Sequence, residues 1–366
     1  MSSNMSRTEM VNTLEHINCC NRINDKIKLA KKVISESSFL QEEKISIQFT
    51  GDDLDEMNGL QLFLAYKLGK GDEKKVFEDA DCDVSLLMII VYCKLLGIDP
   101  NEQTIEYQKS FNKRFYKFEI IQPGKPSYRG DTLTSIQYVL KKHIALLWKM
   151  MGENSKFISN EDYKKFYELF SGVSNRGLLC SDYGSWDDIY YNNAKLIWNV
   201  LDDGIKQFLS VAWTLGNFIP MPVYINPSRN DRSGTKDTTD VLLWNIYVFY
   251  QLFSHNEMDL LEKHLKNVLS GNYKEAAIVN YKEWLLNFGN WDSFIKRNCL
   301  QDFVKNDGIG KYGRPYSLKT GKIIEIDLDG VYISVPETYE ESKKFFYNLN
   351  DKILKRGERI IQIINS

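Results

Sequence analysis

The chain has 366 residues, of which 26% are charged and 13% aromatic, and its formal net charge is −2. The length accommodates two or three ordinary domains, and the aromatic content supplies a large core, which excludes a disordered chain. The small net charge excludes a general attraction to nucleic acid or membrane. The six cysteines form no CxxC pair, the first residues are polar, and no apolar run is long enough to span a bilayer. We therefore expect a cytoplasmic protein without a membrane segment.

Apolar residues recur mostly at helical intervals along the chain. In chain order they predict helices over residues 7–37, 52–69, 73–96, 132–151, 161–170, 193–213, 240–253, 257–269, 273–287, 291–304 and 339–364. Alternating residues predict a short strand over 44–50 and a hairpin over 322–335, with Asp329-Gly330 as its turn. The expected fold is a mainly α, multi-helix globular fold with a small β element.

A linker is predicted over residues 122–129, where two prolines and a glycine lie close together. This predicts an N-terminal helical region over 1–122. The main helical domain would then cover 123–366, with the C-terminal hairpin and a long closing helix.

Charge is distributed unevenly in the first half of the chain. Residues 51–83 hold ten acidic and four basic side chains, whereas residues 109–149 hold nine basic and two acidic ones. The basic block begins with Lys109–Lys117, where Lys and Arg alternate with Phe and Tyr. This composition suits a surface that follows a nucleic-acid backbone and stacks bases. A solvated basic face docked on the acidic region is the other interpretation, and both stay open.

Familiar motifs fail on their context. Gly308–Gly313 fits GxGxxG but lacks the flanking strand and helix signals, so a loop is predicted. Two calcium-loop patterns, over 79–84 and 325–336, lack a required Gly or Glu. The four histidines show no metal-ligand spacing, and no motif identifies a cofactor. A Ser-His-Asp triad is assembled in space, so the sequence leaves that possibility open.

The polar residues between Trp213 and Asp240 are the best candidates for chemistry. Gly216 is expected to end a helix in a left-handed cap. Arg229 and Arg232 suit a phosphate or carboxylate, and Asp231, Asp237 and Asp240 could supply a base or hold a hard cation. The alternative is a solvated connector whose aspartates cap the helix near Asp240.

Several of these segments resemble a family of uncharacterised bacterial proteins. The likeness comprises WTLGNFIPMP at 213–222 with Asn226-x-x-Arg229, RGDTLTS at 129–135, WDSF at 291–294, LQDFV at 300–304 and RGER at 356–359. It covers roughly residues 125–366. The family has no assigned activity, so the resemblance implies a fold and a site region only. It implies that one cleft gathers the following residues: Asp131, Thr132, Ser135, Asn217, Asn226, Arg229 and Arg232. Asp131 would be the N-cap of the helix that follows it, a position that attracts anions.

Two functional hypotheses follow from these residues. The first is an effector that acts on a nucleotide or nucleic acid, in bacterial defence against phages. Arg229 and Arg232 would bind phosphate, and Asp131 or Asp237 would act as catalytic base or metal ligand. The ligand site would be completed by Thr132, Ser135, Asn217 and Asn226. The second is a non-catalytic interaction module whose charged N-terminal region docks a protein partner. The sequence leaves open whether the protein is an enzyme and which cofactor or metal it uses.

Overall fold

The computed structural model describes residues 22–36, 86–109, 116–153, 160–171, 192–212, 214–229, 237–308 and 310–365, with isolated positions before 22. These ranges contain twelve helices: α1 (Ile23–Glu36), α2 (Leu86–Leu96), α3 (Ile136–Glu153), α4 (Glu161–Ser171), α5 (Ala194–Val200), α6 (Asp203–Val211), α7 (Ile225–Arg229), α8 (Thr239–Ser254), α9 (Met258–Val268), α10 (Lys274–Leu286), α11 (Trp291–Arg297) and α12 (Tyr339–Asn365). They also contain six strands: β1 (Ile105–Lys109), β2 (Tyr116–Ile120), β3 (Tyr128–Thr132), β4 (Phe218–Pro222), β5 (Val304–Asn306) and β6 (Tyr312–Pro315). The mainly α fold with a small β element is confirmed.

Several helices predicted from local periodicity lie where they were expected. The helix predicted over 291–304 is an exception, since it ends at Arg297 and residues 301–306 form a 3-10 turn and β5 instead. The ends of α4, α8, α9, α10 and α12 differ from the predicted ends by at most one residue. The helix predicted over 193–213 is divided into α5 and α6, because Asp202 caps α6 through the backbone N–H groups of Gly204 and Ile205. The strand predicted over 44–50 and the helix over 52–69 lie outside the described residues.

The larger sheet is antiparallel, in the order β1-β2-β3-β4. Ile120 of β2 pairs with Tyr128 of β3, and the turn between them contains the boundary predicted near residue 122. The sheet therefore continues across that boundary. Almost every residue of α2 is buried, and α2 packs against β2, β3 and β4. The core thus joins residues from both sides of the predicted linker.

The segment before β4 packs directly on α12. Residues Leu215–Asn217 form one 3-10 turn, and a Cβ atom at Gly216 would collide with the carbonyl oxygen of Ile353. The left-handed cap predicted at Gly216 is wrong, since its φ is not positive. The fully buried Arg356 of α12 donates to the carbonyls of Leu215, Gly216 and Phe218 at 2.7–2.9 Å. Glycine is required here because two backbones approach closely.

No strand pair forms over residues 322–335, so the hairpin predicted there is wrong. The carbonyls of Ile324 and Ile326 accept hydrogen bonds from Nη1 of Arg314 instead, at 3.3 and 2.9 Å. A small hairpin lies earlier, between β5 and β6. The glycine-rich Gly308–Gly313 segment joins these strands, with positive φ at Gly308 and Gly310.

Among the described helices, none is both long enough and apolar enough to cross a membrane.

Candidate functional site

Asp131 lies in strand β3, opposite Ile219 of β4. Helix α3 begins only at Ile136, so the prediction that Asp131 caps this helix is wrong. Pairing with β4 keeps Asp131 and Thr132 extended, and the residue directly before α3 is Ser135. The Asp131 carboxylate instead accepts from the backbone N–H of Thr132 at 2.8 Å.

Arg229 is the last residue of α7, and its side chain is only 3% exposed. Its Nη2 lies 3.1 Å from Oδ1 of Asp237 and 3.7 Å from Oδ2 of Asp131. The same nitrogen donates to the carbonyl oxygen of Thr132. The structure therefore brings together four of the predicted site residues, from positions about a hundred residues apart in the chain. A guanidinium between two carboxylates is an ion-pair arrangement, and it neutralises most of the Arg229 charge.

The remaining predicted residues are placed differently. Asn217 is fully buried, and its amide bonds the backbone of Thr134 and Ala212 at 2.9–3.1 Å, which uses both of its donors. Its position indicates a structural role. The backbone N–H of Ser135 donates to the carbonyl of Asp237 at 2.9 Å, which joins the start of α3 to the cluster. Asn226 is exposed at the start of α7, while Arg232 and Asp231 lie outside the described residues.

Several buried donors near Arg229 have no acceptor in the described part of the chain. They are Nε and Nη1 of Arg229, Oγ of Ser228 and the hydroxyl of Tyr281. Tyr281 belongs to α10, which packs against α7. Burial raises the pKa of Tyr281, and the nearby charge of Arg229 opposes this rise. We call Asp131, Arg229, Asp237, Ser228 and Tyr281 the Arg229 corner. An unsatisfied buried donor costs about 1–3 kcal/mol, so such groups usually meet a water, an ion or a ligand.

Asp240, three residues after Asp237, is equally buried but surrounded by donors. Its carboxylate accepts from these groups: the backbone N–H of Leu318 at 2.7 Å, the Tyr332 hydroxyl at 2.9 Å, the Thr238 hydroxyl at 2.8 Å, the Ser334 hydroxyl and the backbone N–H of Val241 at 3.0 Å. Burial raises the pKa of Asp240, and these hydrogen bonds oppose the rise. We call this set the Asp240 corner. It attaches the segment 317–334 to α8, which leaves no open carboxylate for the cation that Asp240 was considered to hold.

A row of Ser342, His143 and Asp202 has the composition of a hydrolase triad. Nδ1 of His143 lies 2.9 Å from Oγ of Ser342, and Nε2 lies 3.2 Å from Oδ2 of Asp202. Ser342 is buried in the first turn of the long helix α12, and the three side chains come from three different elements. We therefore interpret the row as a clamp that joins α3, α6 and α12.

The carboxylate of Asp202 also accepts from the Tyr339 hydroxyl at 3.1 Å. Burial alone would raise the pKa of Asp202, but the contact with His143 and the hydrogen bonds from Ile205 and Tyr339 lower it to about 2. The clamp is therefore stabilised by an ionised carboxylate.

A cavity of about 350 Å³ that sequence analysis missed lies between α8, α9 and the segment 328–332. His264 lines it, and Nε2 of His264 lies 3.0 Å from the carbonyl oxygen of Asn245. No local pattern predicts this cavity, because the consecutive helices α8 and α9 form it together with the segment 328–332, which is distant in the chain.

Within the described residues, no three His, Cys, Asp or Glu side chains come together to form a metal site. The chain matches no family model, and comparisons with curated proteins and with solved structures find no match. The resemblance to an uncharacterised bacterial family stays a prediction based on the motifs themselves.

Proposed function

We propose that the protein binds the phosphate group of a nucleotide or nucleic acid at Arg229. One observation carries this proposal: two nitrogens of a buried guanidinium, Nε and Nη1, have no acceptor among the described residues. A phosphate offers only acceptors, and arginine is the side chain best suited to it.

The neighbouring free donors have the same character. The Ser228 hydroxyl and the Tyr281 hydroxyl can both donate to an oxygen atom, and neither has an acceptor in the described structure. A guest rich in acceptor oxygens would satisfy all of these groups together. An ordered water could satisfy only some of them.

The strand register supports a nucleic-acid ligand. Because Ile120 pairs with Tyr128 in antiparallel fashion, the Tyr116 end of β2 lies at the same end of the sheet as Thr132. Lys109 pairs with Tyr116, so the end of β1 lies at this end of the sheet as well. The strand ends that flank the basic-aromatic stretch thus lie at the same end of the sheet as Thr132, whose carbonyl binds Arg229.

The two aspartates beside Arg229 limit its long-range attraction for anions. Binding at this corner alone should therefore depend on direct hydrogen bonds and change little with salt. A nucleic acid that also contacts the basic stretch Lys109–Lys117 should release counterions, so its affinity should fall steeply as salt rises. Salt dependence consequently distinguishes a nucleotide from a nucleic-acid strand.

The test begins with protein purified without nuclease treatment. A bound nucleotide or nucleic acid would raise the ratio of absorbance at 260 nm to that at 280 nm. Fluorescence anisotropy with a labelled single-stranded 20-mer DNA and with a labelled ATP then measures affinity for wild type, Arg229→Gln and Arg359→Gln. Arg359 is partly exposed and pairs with Asp302, so it serves as the charge-matched control.

We expect Arg229→Gln to weaken binding at least tenfold and Arg359→Gln to leave it nearly unchanged. The proposal fails if neither probe binds the wild-type protein, or if folded Arg229→Gln binds as wild type does. If Arg229→Gln does not fold, Tyr281→Phe and Ser228→Ala test the same site with smaller changes, and unchanged binding in both would refute it.

One observation favours the alternative, a protein-interaction module. Tyr224 and Tyr273 are 43% and 54% exposed and stack with ring centroids 5.0 Å apart. Tyr224 also adopts a φ of 71°, a left-handed conformation that costs a non-glycine residue about 1–2 kcal/mol. Exposed tyrosines are enriched at protein interfaces. A stoichiometric protein partner that is lost on Tyr273→Ala, with no nucleic acid carried through purification, would support this alternative.

A further inference from the structure

The cavity between α8, α9 and the segment 328–332 is mostly apolar. Its helical walls include Leu252, Leu260 and Val268, and the opposite wall includes Leu328 and Val331. Leu260 and Val331 are 43% and 70% exposed, so they form the rim. A cavity of about 150 Å³ already accommodates benzene, whereas this one measures about 350 Å³. It therefore has room for a ligand of one or two rings.

His264 provides a hydrogen-bond acceptor in this apolar lining. Since a carbonyl oxygen only accepts, Nε2 of His264 carries the proton that it donates to Asn245. In the neutral ring Nδ1 is then a bare acceptor, and no described residue donates to it. Burial lowers the pKa of His264 to about 4, with the Asn245 hydrogen bond opposing this shift, so the ring is neutral near pH 7.

The charged residues around the cavity argue against an anionic ligand. Glu257, Lys263 and Asp329 contribute one positive and two negative charges. This balance gives no attraction for phosphate or carboxylate, in contrast to the free donors beside Arg229. A neutral molecule loses the least solvation on entering such a cavity.

We propose that this cavity binds a neutral, mostly apolar ring compound that donates one hydrogen bond, from O–H or N–H, to Nδ1 of His264. The ring lies against Leu252, Leu260 and Val268, and the donor group selects the compound among apolar molecules of the same shape. This site takes a ligand of a different class from the phosphate proposed at Arg229, and it does not depend on that proposal.

The probes are 4-methylphenol and 1,4-dimethylbenzene, which have nearly the same shape but differ in the donor group. Calorimetry or ligand-observed NMR measures their affinities for wild type, His264→Phe and Leu260→Trp, with thermal melts as a check of folding. One neutral hydrogen bond corresponds to up to about tenfold in affinity. We expect the phenol to bind about tenfold more tightly than the hydrocarbon, and His264→Phe to remove this difference while hydrocarbon binding persists. Leu260→Trp fills the mouth of the cavity and should abolish the binding of both probes.

The proposal is overturned if wild type binds no phenol at millimolar concentration, or if the two probes bind equally well. It is also overturned if Leu260→Trp leaves phenol binding intact, because the phenol would then occupy another place. If His264→Phe fails to fold, two results still decide the question: the difference in affinity between the probes for wild type, and the loss of phenol binding in Leu260→Trp.

Discussion

The Asp240 corner and the Arg229 corner are neighbours in the chain, and each buries a charged side chain almost completely. Asp240 accepts hydrogen bonds from five groups on three segments. Arg229 uses one nitrogen, while Nε and Nη1 have no acceptor in the described structure. Buried charge is therefore not in itself a sign of function. A matched set of donors and acceptors makes a rigid joint, whereas a mismatched set is where a ligand is expected.

The largest predicted effect is at Asp240. Replacing it with Ala leaves the donors of Leu318, Tyr332 and Ser334 without a buried acceptor, so we expect the free energy of unfolding to fall by about 3 kcal/mol or more. Urea denaturation measures this loss. Asp351→Ala is the control, since Asp351 is an exposed partner of Lys355 and should change stability by less than about 0.5 kcal/mol. Equal effects of the two substitutions would contradict the view of Asp240 as a joint.

Gly216→Ala should be nearly as damaging. Its Cβ would collide with a backbone oxygen of α12, and a helix backbone cannot move aside as a flexible side chain can. Overpacking of this kind costs about 1–3 kcal/mol. Gly152→Ala in α3 is the matched control, because its new Cβ meets only the far end of the Tyr167 side chain. Thermal denaturation of both variants compares the two effects, and a harmless Gly216→Ala would show that α12 can shift.

Tyr281→Phe should raise the stability of the protein, in contrast to the two substitutions above. Removing a hydroxyl that has no described acceptor should stabilise the ligand-free protein by about 1 kcal/mol. Tyr250→Phe is the control, since its hydroxyl donates to Leu285 at 2.6 Å and its loss should destabilise by about 1 kcal/mol. Denaturant titrations of the two variants give the comparison. Destabilisation by Tyr281→Phe would mean that its hydroxyl is satisfied, which would weaken the argument for a ligand at the Arg229 corner.

The smallest effect concerns the clamp at Asp202. Its pKa is lowered to about 2 in the folded protein from an ordinary value of 3.8, so its stabilising contribution is complete above pH 4. This contribution is lost as pH falls from about 4 toward 2. Because Asp202 is partly exposed, we expect about 1 kcal/mol rather than the full shift. The stability difference between wild type and Asp202→Asn, measured in urea at pH 6 and pH 3, should shrink at the lower pH. A constant difference would contradict the assignment.

Local patterns predicted much of the fold, because helix periodicity is a property of adjacent residues. The predictions failed where a distant partner decides the conformation. Asp131 pairs with Ile219 and is therefore in a strand. In the 322–335 segment, the carbonyls of Ile324 and Ile326 accept from Arg314, and the hydroxyls of Tyr332 and Ser334 donate to Asp240. Gly216 was predicted to be a helix cap, whereas glycine is required there because the α12 backbone approaches closely. The residues next to Gly216 in the sequence give no sign of this approach.

The same distinction applies to the candidate sites. Grouping Asp131 with Arg229 depended on a resemblance between separated motifs, and the structure places these two side chains in contact. Asn217 and Asn226 are the same residue type, so the sequence could not tell that Asn217 is buried with both amide donors bonded whereas Asn226 is exposed. The His264 cavity is closed by residues 328–332, about sixty residues after α9, so the sequence around His264 alone could not reveal it.

Helix α12 also determines when the chain can complete its fold during synthesis. Its 27 residues span about 40 Å, and along this length it contacts α2, α3, α6 and the 3-10 turn before β4. During synthesis every one of these partners leaves the ribosome before α12 does. Until α12 is synthesised, the carbonyls of Leu215 and Phe218 lack the donor Arg356, and His143 lacks its contact with Ser342. We therefore expect a nascent chain that ends before Tyr339 to be protease-sensitive, and the appearance of resistance to mark the emergence of this helix.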